Sequence, residues 1–239
     1  MLFCRKVSPL LMIIIIYDSG EWKMRYEAVI FDLDGTLLDT LDDLADSLNH
    51  TLRKNNMPER TREEVRAFVG NGIRKLMERG VPTGTEVGAI DKVHADFTEH
   101  YKVHCNDKTK PYDNVLDMLA RLKNNGIKLA VLSNKADYAV QDLCKRYFVG
   151  LIDVAAGEID GIPKKPSPEG VYRVIDKLGV QAEKCVYIGD SDVDVITAKN
   201  SNMDCIAVDW GFRDKDVLVN AGADVIVSTA DALFEEIVK

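Results

Sequence analysis

The sequence predicts an α/β protein in which helices cover both faces of a parallel sheet and a helical segment is inserted after the first strand. Short apolar runs rich in β-branched residues alternate with helical patterns, and such runs are typical of buried parallel strands. In residues 40–110 the alternation stops and only helical periodicity remains. Acidic and polar clusters follow the apolar runs directly, at the strand ends where such sheets bind ligands.

The strand candidates are short segments that alternate with helical patterns. Runs that are apolar on both faces suit one parallel sheet covered by helices on each side, with right-handed crossovers between its strands. The candidates are "AVIFDL" from Ala28, "IKLAVLSN" from Ile127, "KCVYIGD" from Lys184, "DCIAVDW" from Asp204 and "DVIV" from Asp224.

The interval of residues 40–110 begins with an amphipathic pattern. Thr40 and Asp43 stand at the spacing of a capping box, and we expect the acids of "TLDDLAD" to be solvated and to complement the helix dipole. Leucines recur at helical spacing, at Leu41, Leu44, Leu48 and Leu52. We therefore predict a helical cap at 40–110, inserted into a core formed by 24–39 and 111–239.

Residues 1–23 precede the first convincing strand and resemble a weak signal sequence, with Arg5 and Lys6 before the apolar residues 10–17. This apolar stretch is shorter than the roughly 20 residues that span a bilayer, and no small-residue cleavage site follows it. We interpret the segment either as the product of an overcalled start site before Met24 or as a dispensable N-terminal extension. A cytoplasmic location is therefore expected.

Composition and charge argue against several classes of partner. The 239-residue chain is 46% hydrophobic, which is ample for a core. Its net charge of -8 and pI near 5.1 argue against nucleic acid and anionic membranes, which attract basic surfaces. A small anionic substrate remains compatible if cations are concentrated locally, and a monomer or homodimer is expected. Five widely spaced cysteines without a CxxC pair indicate reduced thiols in a cytosolic protein.

The first candidate site is the motif "DLDGT", in which Asp32 and Asp34 end an apolar strand. Residues i and i+2 of a strand point to the same side, so the two carboxylates can begin on a common face. One carboxylate can attack phosphorus while the other transfers a proton. A strand that simply ends in an acidic turn with glycine explains the motif equally well.

Two further motifs supply candidate phosphate ligands. In "VLSNK", Ser133 and Asn134 end a strand where a hydroxyl and backbone N–H groups suit a phosphate oxygen, although both residue types also cap helices. In "PKKPSPEG", a lysine held between prolines can neutralise a transferring phosphoryl group, although a solvated basic turn is the simpler interpretation. The spacing leaves open whether Lys164 or Lys165 has this role.

The fourth motif is "YIGDSDVDV", an apolar strand followed by Asp190, Asp192 and Asp194. Hard oxygen ligands at a strand end suit Mg²⁺, and an Asp-rich helix cap is the alternative. All four motifs end strands of one predicted sheet, so folding should bring them to a common edge. Together they provide the nucleophile, acid/base, phosphate ligands, cation and metal site that phosphoryl transfer requires.

From Met24 to Lys239 the chain resembles the haloacid dehalogenase superfamily of phosphohydrolases. Four motifs in order carry this resemblance, which is strongest to its phosphoglycolate phosphatase group. The family pattern DxDG[TV] is met by Asp32, Asp34, Gly35 and Thr36, the strand ending in Ser or Thr by Ser133, the KP turn by Lys165 and Pro166, and GDSxxD by Gly189, Asp190, Ser191 and Asp194.

The resemblance implies a Rossmann-like core and a role for each matched residue. It implies that Asp32 is the nucleophile and Asp34 the general acid/base, an acid that dehalogenases of the superfamily lack. The resemblance favours Lys165 over Lys164 as the lysine that neutralises the phosphoryl group. The implied phosphate ligands are Ser133, Asn134 and Lys165, and the implied Mg²⁺ ligands are Asp32, the Asp34 carbonyl and Asp190, with Asp194 supporting the site.

The subgroup resemblance lies in "FVGNGIRKLMERGV" and in the Trp-Gly-Phe-Arg turn of "VDWGFRDKDVLVNAGADVIV". Gly70, Asn71, Gly72 and Arg74 are candidate contacts for the organic part of a substrate when the cap closes. A helix-start turn with an exposed arginine is an equal alternative.

These observations predict a Mg²⁺-dependent phosphomonoester hydrolase that forms an aspartyl-phosphate intermediate on a small phosphorylated metabolite such as 2-phosphoglycolate. The alternatives within the superfamily are a β-phosphoglucomutase, a pyrophosphatase or a nucleotidase. The alternative from another class is a non-catalytic binding protein, which should have lost Asp32 or Asp34. Both acids are present.

Overall fold

A computed structural model describes residues 24–239, so the interpretations of residues 1–23 lie outside the described residues. Strands and helices alternate along most of the chain. The strands are β1 (Ala28–Phe31), β2 (Leu38–Asp39), β3 (Lys110–Pro111), β4 (Lys128–Ala136), β5 (Val154–Glu158), β6 (Cys185–Gly189), β7 (Asp204–Val208) and β8 (Val225–Val227). The helices are α1 (Leu41–Lys54), α2 (Arg62–Phe68), α3 (Gly72–Gly80), α4 (Val87–His104), α5 (Val115–Asn124), α6 (Asp137–Tyr147), α7 (Glu169–Leu178), α8 (Asp192–Asn200), α9 (Lys215–Ala221) and α10 (Ala230–Val238).

Six parallel strands form the main sheet in the order β5-β4-β1-β6-β7-β8. The α/β fold class is therefore confirmed, and each of the five strand candidates forms a strand of this sheet. The sequence analysis missed β5, whose residues "VAAGE" lie at the edge and include two alanines and a glycine. These residue types are depleted in strands, so the segment gave no strand signal.

Side chains of β1 alternate between two apolar layers. Val29 and Phe31 pack with residues of α5, α6 and α10 on one face, whereas Ala28 and Ile30 pack with residues of α7 and α8 on the other. All four side chains are fully buried. Burial on both faces explains why this strand reads as a continuous apolar run rather than an alternating one.

Helices α1 to α4 enclose an apolar cluster of their own. The predicted stripe of Leu41, Leu44, Leu48 and Leu52 is buried in it, against side chains of α2, α3 and α4. One residue from outside the helical segment, Phe212, also packs there. Helical periodicity in the sequence thus corresponds to a real packed face.

The two connections that lead into and out of this helical segment lie side by side and are hydrogen-bonded to each other. β2 and β3 pair antiparallel, with Leu38 opposite Pro111 and Asp39 opposite Lys110. These strands lie where the sequence places the boundaries between 24–39, 40–110 and 111–239. The division into core and cap stays a prediction.

The start of α1 differs from the sequence prediction. Thr40 makes no side-chain capping bond, and Asp43 is buried rather than solvated. The Asp43 carboxylate accepts hydrogen bonds from the Lys108 and Thr109 amides and from Thr109 Oγ1, at 2.7 to 3.1 Å. The predictions of a capping box and a solvated acid at Asp43 are wrong, because this carboxylate satisfies donors of the returning connection instead.

Two global predictions can be compared with the described part of the chain. The helices within residues 24–239 include none whose length and apolar character would allow it to cross a membrane. The described cysteines, Cys105, Cys144, Cys185 and Cys205, are free thiols. Widely spaced cysteines without pairs had predicted this reduced state for them.

Candidate active site

The predicted motifs converge at the carboxyl edge of the sheet. Asp32 and Asp34 follow β1, Ser133 and Asn134 belong to the end of β4, and Asp190 follows β6. β1 lies between β4 and β6, so these strand ends are direct neighbours. All five side chains border one cavity of about 70 Å³. That volume suits a compact ligand, since pockets for drug-sized molecules are several times larger.

Lys165 reaches the same cavity from the loop before α7. Its Nζ lies 2.9 Å from Asp32 Oδ1 and 2.7 Å from Asp194 Oδ1, and only 4% of its side chain is exposed. The Leu33 amide donates to the same Asp32 oxygen at 2.7 Å. Within residues 24–239, no donor is hydrogen-bonded to Asp32 Oδ2. One oxygen of this carboxylate is therefore held in place, and the other remains open to a ligand.

Three carboxylates, from Asp32, Asp190 and Asp194, bring oxygens within 4.8 Å of one another. Thr36 Oγ1 donates to Asp190 Oδ1 at 2.9 Å, and the Phe212 amide donates to Asp190 Oδ2 at 2.7 Å. Burial raises the pKa of Asp32 well above its usual range. Burial and the charge of Asp194 raise the pKa of Asp190 to about 7. A hard divalent cation fits this set of buried oxygens and would relieve their repulsion.

Asp194 has little coordinating capacity left. Its Oδ1 accepts from Lys165, and its Oδ2 accepts from Ser191 Oγ at 2.6 Å and from the Ser191 amide at 3.1 Å. Ser191 and Asp194 also form the capping box that begins α8. These contacts suit a residue that supports the site more than one that binds the ion directly.

Glycines allow the chain to approach the Asp190 carboxylate closely. Gly35 adopts a φ of +86°, and a Cβ at this position would overlap the Asp190 carboxylate. A Cβ at Gly211 would overlap the Asp190 side chain and the Gly35 carbonyl. The glycine that follows the paired acids is thus required by a left-handed turn and by a close contact.

Asp34 is held by two residues of β4. Ser133 Oγ lies 3.4 Å from Asp34 Oδ2, and Lys135 Nζ lies 3.0 Å from Asp34 Oδ1. Lys135 Nζ also donates to Tyr101 Oη of α4 at 2.6 Å. The sequence analysis assigned no role to Lys135 or Tyr101. Lys135 ends the motif "VLSNK" and could have been considered, whereas nothing in the sequence around Tyr101 marks it.

The Asn134 side chain binds protein backbone. Its Oδ1 accepts from the Lys165 amide at 2.9 Å, and its Nδ2 donates to the Lys165 carbonyl at 3.0 Å. This reciprocal pair fixes the loop that delivers the Lys165 ammonium. Lys164 pairs instead with Glu158 at 2.6 Å and is 39% exposed. A phosphate-binding role for Asn134 stays a prediction, alongside the positioning contact that its side chain makes.

The four residues proposed to contact substrate from the cap do not all face the cavity. Gly70 and Gly72 border it. Asn71 lines a neighbouring groove, and Arg74 pairs with Glu78 and Asp91 away from the cavity wall. The structure therefore separates this predicted set, and contacts of Asn71 and Arg74 with a substrate stay predictions.

Two arginines connect the helical segment to the loop after β7. Arg213 is 13% exposed and donates to the backbone carbonyls of Arg66 and Val69. Arg66 reaches in the opposite direction and pairs with Asp214 at 2.9 Å. Arg213 belongs to the Trp-Gly-Phe-Arg turn noted in the sequence, where it was not assigned a role. Its position closes one wall of the cavity.

Comparisons with known proteins agree on one family. Residues 29–208 match the family model for "Haloacid dehalogenase-like hydrolase". A phosphoglycolate phosphatase of Mesorhizobium japonicum is 33% identical over 215 residues, which span 87% of this chain and 93% of the relative. This match and the match to the family model extend over both the helical segment and the sheet.

Solved structures give the same result. A candidate phosphoglycolate phosphatase from Lactobacillus delbrueckii subsp. bulgaricus superposes with a TM-score of 0.86 and 39% identity, over 90% of this chain and 99% of that one. CbbY from Rhodobacter sphaeroides, solved in complex with phosphate, superposes with a TM-score of 0.70 and 26% identity, over 87% of this chain and 96% of that one.

Proposed function

Because the chain belongs to the haloacid dehalogenase-like hydrolase family, we propose that it is a phosphatase that hydrolyses a small phosphomonoester through an aspartyl-phosphate intermediate. The observation that carries the proposal is the Asp32 carboxylate, which has one oxygen fixed by Lys165 and the Leu33 amide and the other open to the cavity. A fixed carboxylate with one open oxygen is suited to nucleophilic attack.

The proposed reaction uses two carboxylates in sequence. Asp32 Oδ2 attacks phosphorus, and the bond between phosphorus and the ester oxygen breaks. Asp34 gives a proton to the leaving oxygen and later takes a proton from the water that hydrolyses the acyl phosphate. Ser133 Oγ and Lys165 Nζ hold the phosphoryl oxygens and offset their charge. Ser133 Oγ lies 3.4 Å from Asp34 Oδ2, and this proximity supports their action on neighbouring atoms of the substrate.

We propose that the divalent cation is Mg²⁺, held by Asp32, Asp190 and the Asp34 carbonyl, with Asp194 supporting. Bound Mg²⁺ would neutralise charge on the phosphoryl group and orient it. Thr36 and the Phe212 amide fix the Asp190 carboxylate for this role.

We propose 2-phosphoglycolate as the substrate, since relatives that match most of the chain carry the name phosphoglycolate phosphatase. The small cavity supports a compact ester. Location in the cytoplasm and a monomeric or homodimeric state remain predictions.

The test is phosphate release from 2-phosphoglycolate, pyrophosphate, a nucleoside monophosphate and β-glucose 1-phosphate, each with Mg²⁺ and with EDTA. We expect 2-phosphoglycolate to be preferred and EDTA to abolish turnover. Preference for pyrophosphate or for the nucleotide would instead indicate a pyrophosphatase or a nucleotidase of the same family. Conversion of the sugar phosphate through a bisphosphate would indicate a mutase, and no turnover of any compound would favour a binding protein.

The mechanism is tested by Asp32→Asn, which should abolish turnover while the thermal unfolding temperature stays near that of the wild type. Asp192→Asn is the matched control, because Asp192 belongs to the same acidic edge and Arg213 is its only ion-pair partner within residues 24–239. Asp34→Asn should slow turnover by about 10²- to 10⁴-fold, the usual scale of acid/base catalysis. Near-normal activity of Asp32→Asn would contradict the nucleophile assignment.

A further inference from the structure

Three cationic side chains border the cavity. The contacts of two of them are explained by the phosphoryl centre and by the helical segment. Lys165 donates to Asp32 and Asp194 at the phosphoryl centre. Arg213 donates to backbone carbonyls of the helical segment and pairs with Asp192 at 3.3 Å. The third cation, Lys135, has no role in the proposed phosphoryl transfer.

Lys135 is an unusual cation for its position. Its side chain is only 4% exposed, and it borders the cavity between the sheet and α4. Its Nζ donates to Asp34 Oδ1 and Tyr101 Oη, and within residues 24–239 its third N–H has no acceptor. Burying an ammonium group is costly unless its partners offset the loss of water. An ammonium with one unused N–H at a cavity wall is well placed to bind an anion.

The proposed chemistry defines where a leaving group lies. Asp34 must contact the ester oxygen to protonate it, so the group attached to that oxygen extends past Asp34. Lys135 contacts Asp34 Oδ1, and Tyr101 contacts Lys135 in turn, so both polar groups lie next to Asp34 at the cavity wall. In 2-phosphoglycolate the carboxyl carbon is two bonds from the ester oxygen, and its carboxylate therefore stays beside Asp34.

From this geometry we propose that Lys135 is the specificity residue that binds the carboxylate of the leaving group. This proposal rests on the proposed function. The third N–H of its ammonium donates to a carboxylate oxygen, with Tyr101 orienting the ammonium from α4. The substrate class is then short phosphorylated 2-hydroxy acids, in which the carboxylate is bonded directly to the carbon that carries the ester oxygen.

The part of the cavity wall that comes from α1 and α3 supports this class. Leu44, Ile73 and Leu76 contribute apolar surface from the helical segment. Apolar surface offers no hydrogen bonds to sugar hydroxyls or to a nucleobase. Selection among small esters would therefore depend on charge, which Lys135 supplies.

The experiment compares Lys135→Met with the wild type on two esters, 2-phosphoglycolate and ethyl phosphate, which lacks the carboxylate. The measured quantity is the ratio of kcat/KM values for the two esters. We expect Lys135→Met to lower this ratio by about 10- to 100-fold, the range for loss of a charged hydrogen bond. Comparing ratios removes any effect on Asp34 that both esters share.

Lys164→Met is the matched control. It removes the same charge near the site, but Lys164 pairs with Glu158 and does not border the cavity. We expect its ratio to stay within about threefold of the wild type, as for other exposed pairs. If Lys135→Met lowered kcat/KM equally for both esters, Lys135 would be assigned to positioning Asp34 and the proposal would be overturned.

A binding measurement separates this proposal from the proposed function. Calorimetry with Mg²⁺ and 2-phosphoglycolate compares Asp32→Asn with the double variant that also carries Lys135→Met. We expect the second change to weaken binding about 10-fold or more, while ethyl phosphate binding changes little. If the wild type hydrolyses neither ester, the proposed function fails. Independently of turnover, equal affinities of the two variants for 2-phosphoglycolate would overturn the role of Lys135.

Discussion

Replacing Asp43 with asparagine should destabilise the protein far more than the same change at Asp42. Asp43 is 1% exposed, and its carboxylate accepts from three donors of the returning connection, the Lys108 amide, the Thr109 amide and Thr109 Oγ1. Asp42 is the preceding residue of α1, with 47% of its side chain exposed, and it pairs with Arg62.

The expected loss in the free energy of unfolding follows from the hydrogen-bond donors that asparagine cannot satisfy. One oxygen of Asp43 accepts from both Thr109 donors, and an amide nitrogen in its place would face N–H and O–H groups. Losing one or two charged hydrogen bonds costs about 3 kcal/mol in the free energy of unfolding. The exposed pair at Asp42 contributes less than about 1 kcal/mol.

Thermal unfolding of the two variants provides the assay. For a chain of this length, about 3 kcal/mol corresponds to a fall in Tm of roughly 6 to 12 °C, and Asp42→Asn should lower Tm by less than about 4 °C. Equal shifts for both variants would refute the reasoning, because they would mean that the buried network contributes no more than a surface pair.

The remaining predictions concern the cavity wall and the helical segment. Arg213→Met should lower kcat/KM by about 10-fold or more, and the more exposed Arg66→Met by less than about threefold, measured by steady-state phosphate release. Gly211→Ala should overlap a metal-site carboxylate and cost about 10- to 100-fold in kcat, with weaker Mg²⁺ binding in calorimetry. Hydrogen bonding to Lys54 holds the pKa of Asp96 below its usual range, so its stabilisation is present above about pH 4 and is lost as pH falls. Asp96→Asn should therefore lower the unfolding free energy at pH 7 and flatten its acid dependence in urea titrations; unchanged acid dependence would contradict this.

Strands that the local sequence indicates clearly were predicted correctly, whereas contacts between distant residues were not. Strands such as β1 were predicted because burial on both faces leaves an apolar run in the sequence. β5 was missed because its small residues carry little strand propensity. Asp43 was misjudged because its spacing from Thr40 suggested a local cap, whereas its observed donors lie 65 and 66 residues away. Lys135 and Tyr101 are 34 residues apart and meet only through packing of α4 on the sheet edge.

The order of strands and helices along the sequence is enough to place the acids of the first and fourth motifs and Ser133 at one edge of the sheet. Alternation of strands and helices directs the end of each parallel strand to one side of the sheet, so Asp32, Asp34, Ser133 and Asp190 were expected to be neighbours. The atoms that pair are seen only in the folded chain: Asn134 binds the Lys165 backbone, Lys135 binds Asp34, and Arg213 binds carbonyls of α2 and of the loop after it. The reason is physical, since hydrogen bonds form over about 3 Å, and that distance between different elements is set by packing, which no single segment specifies.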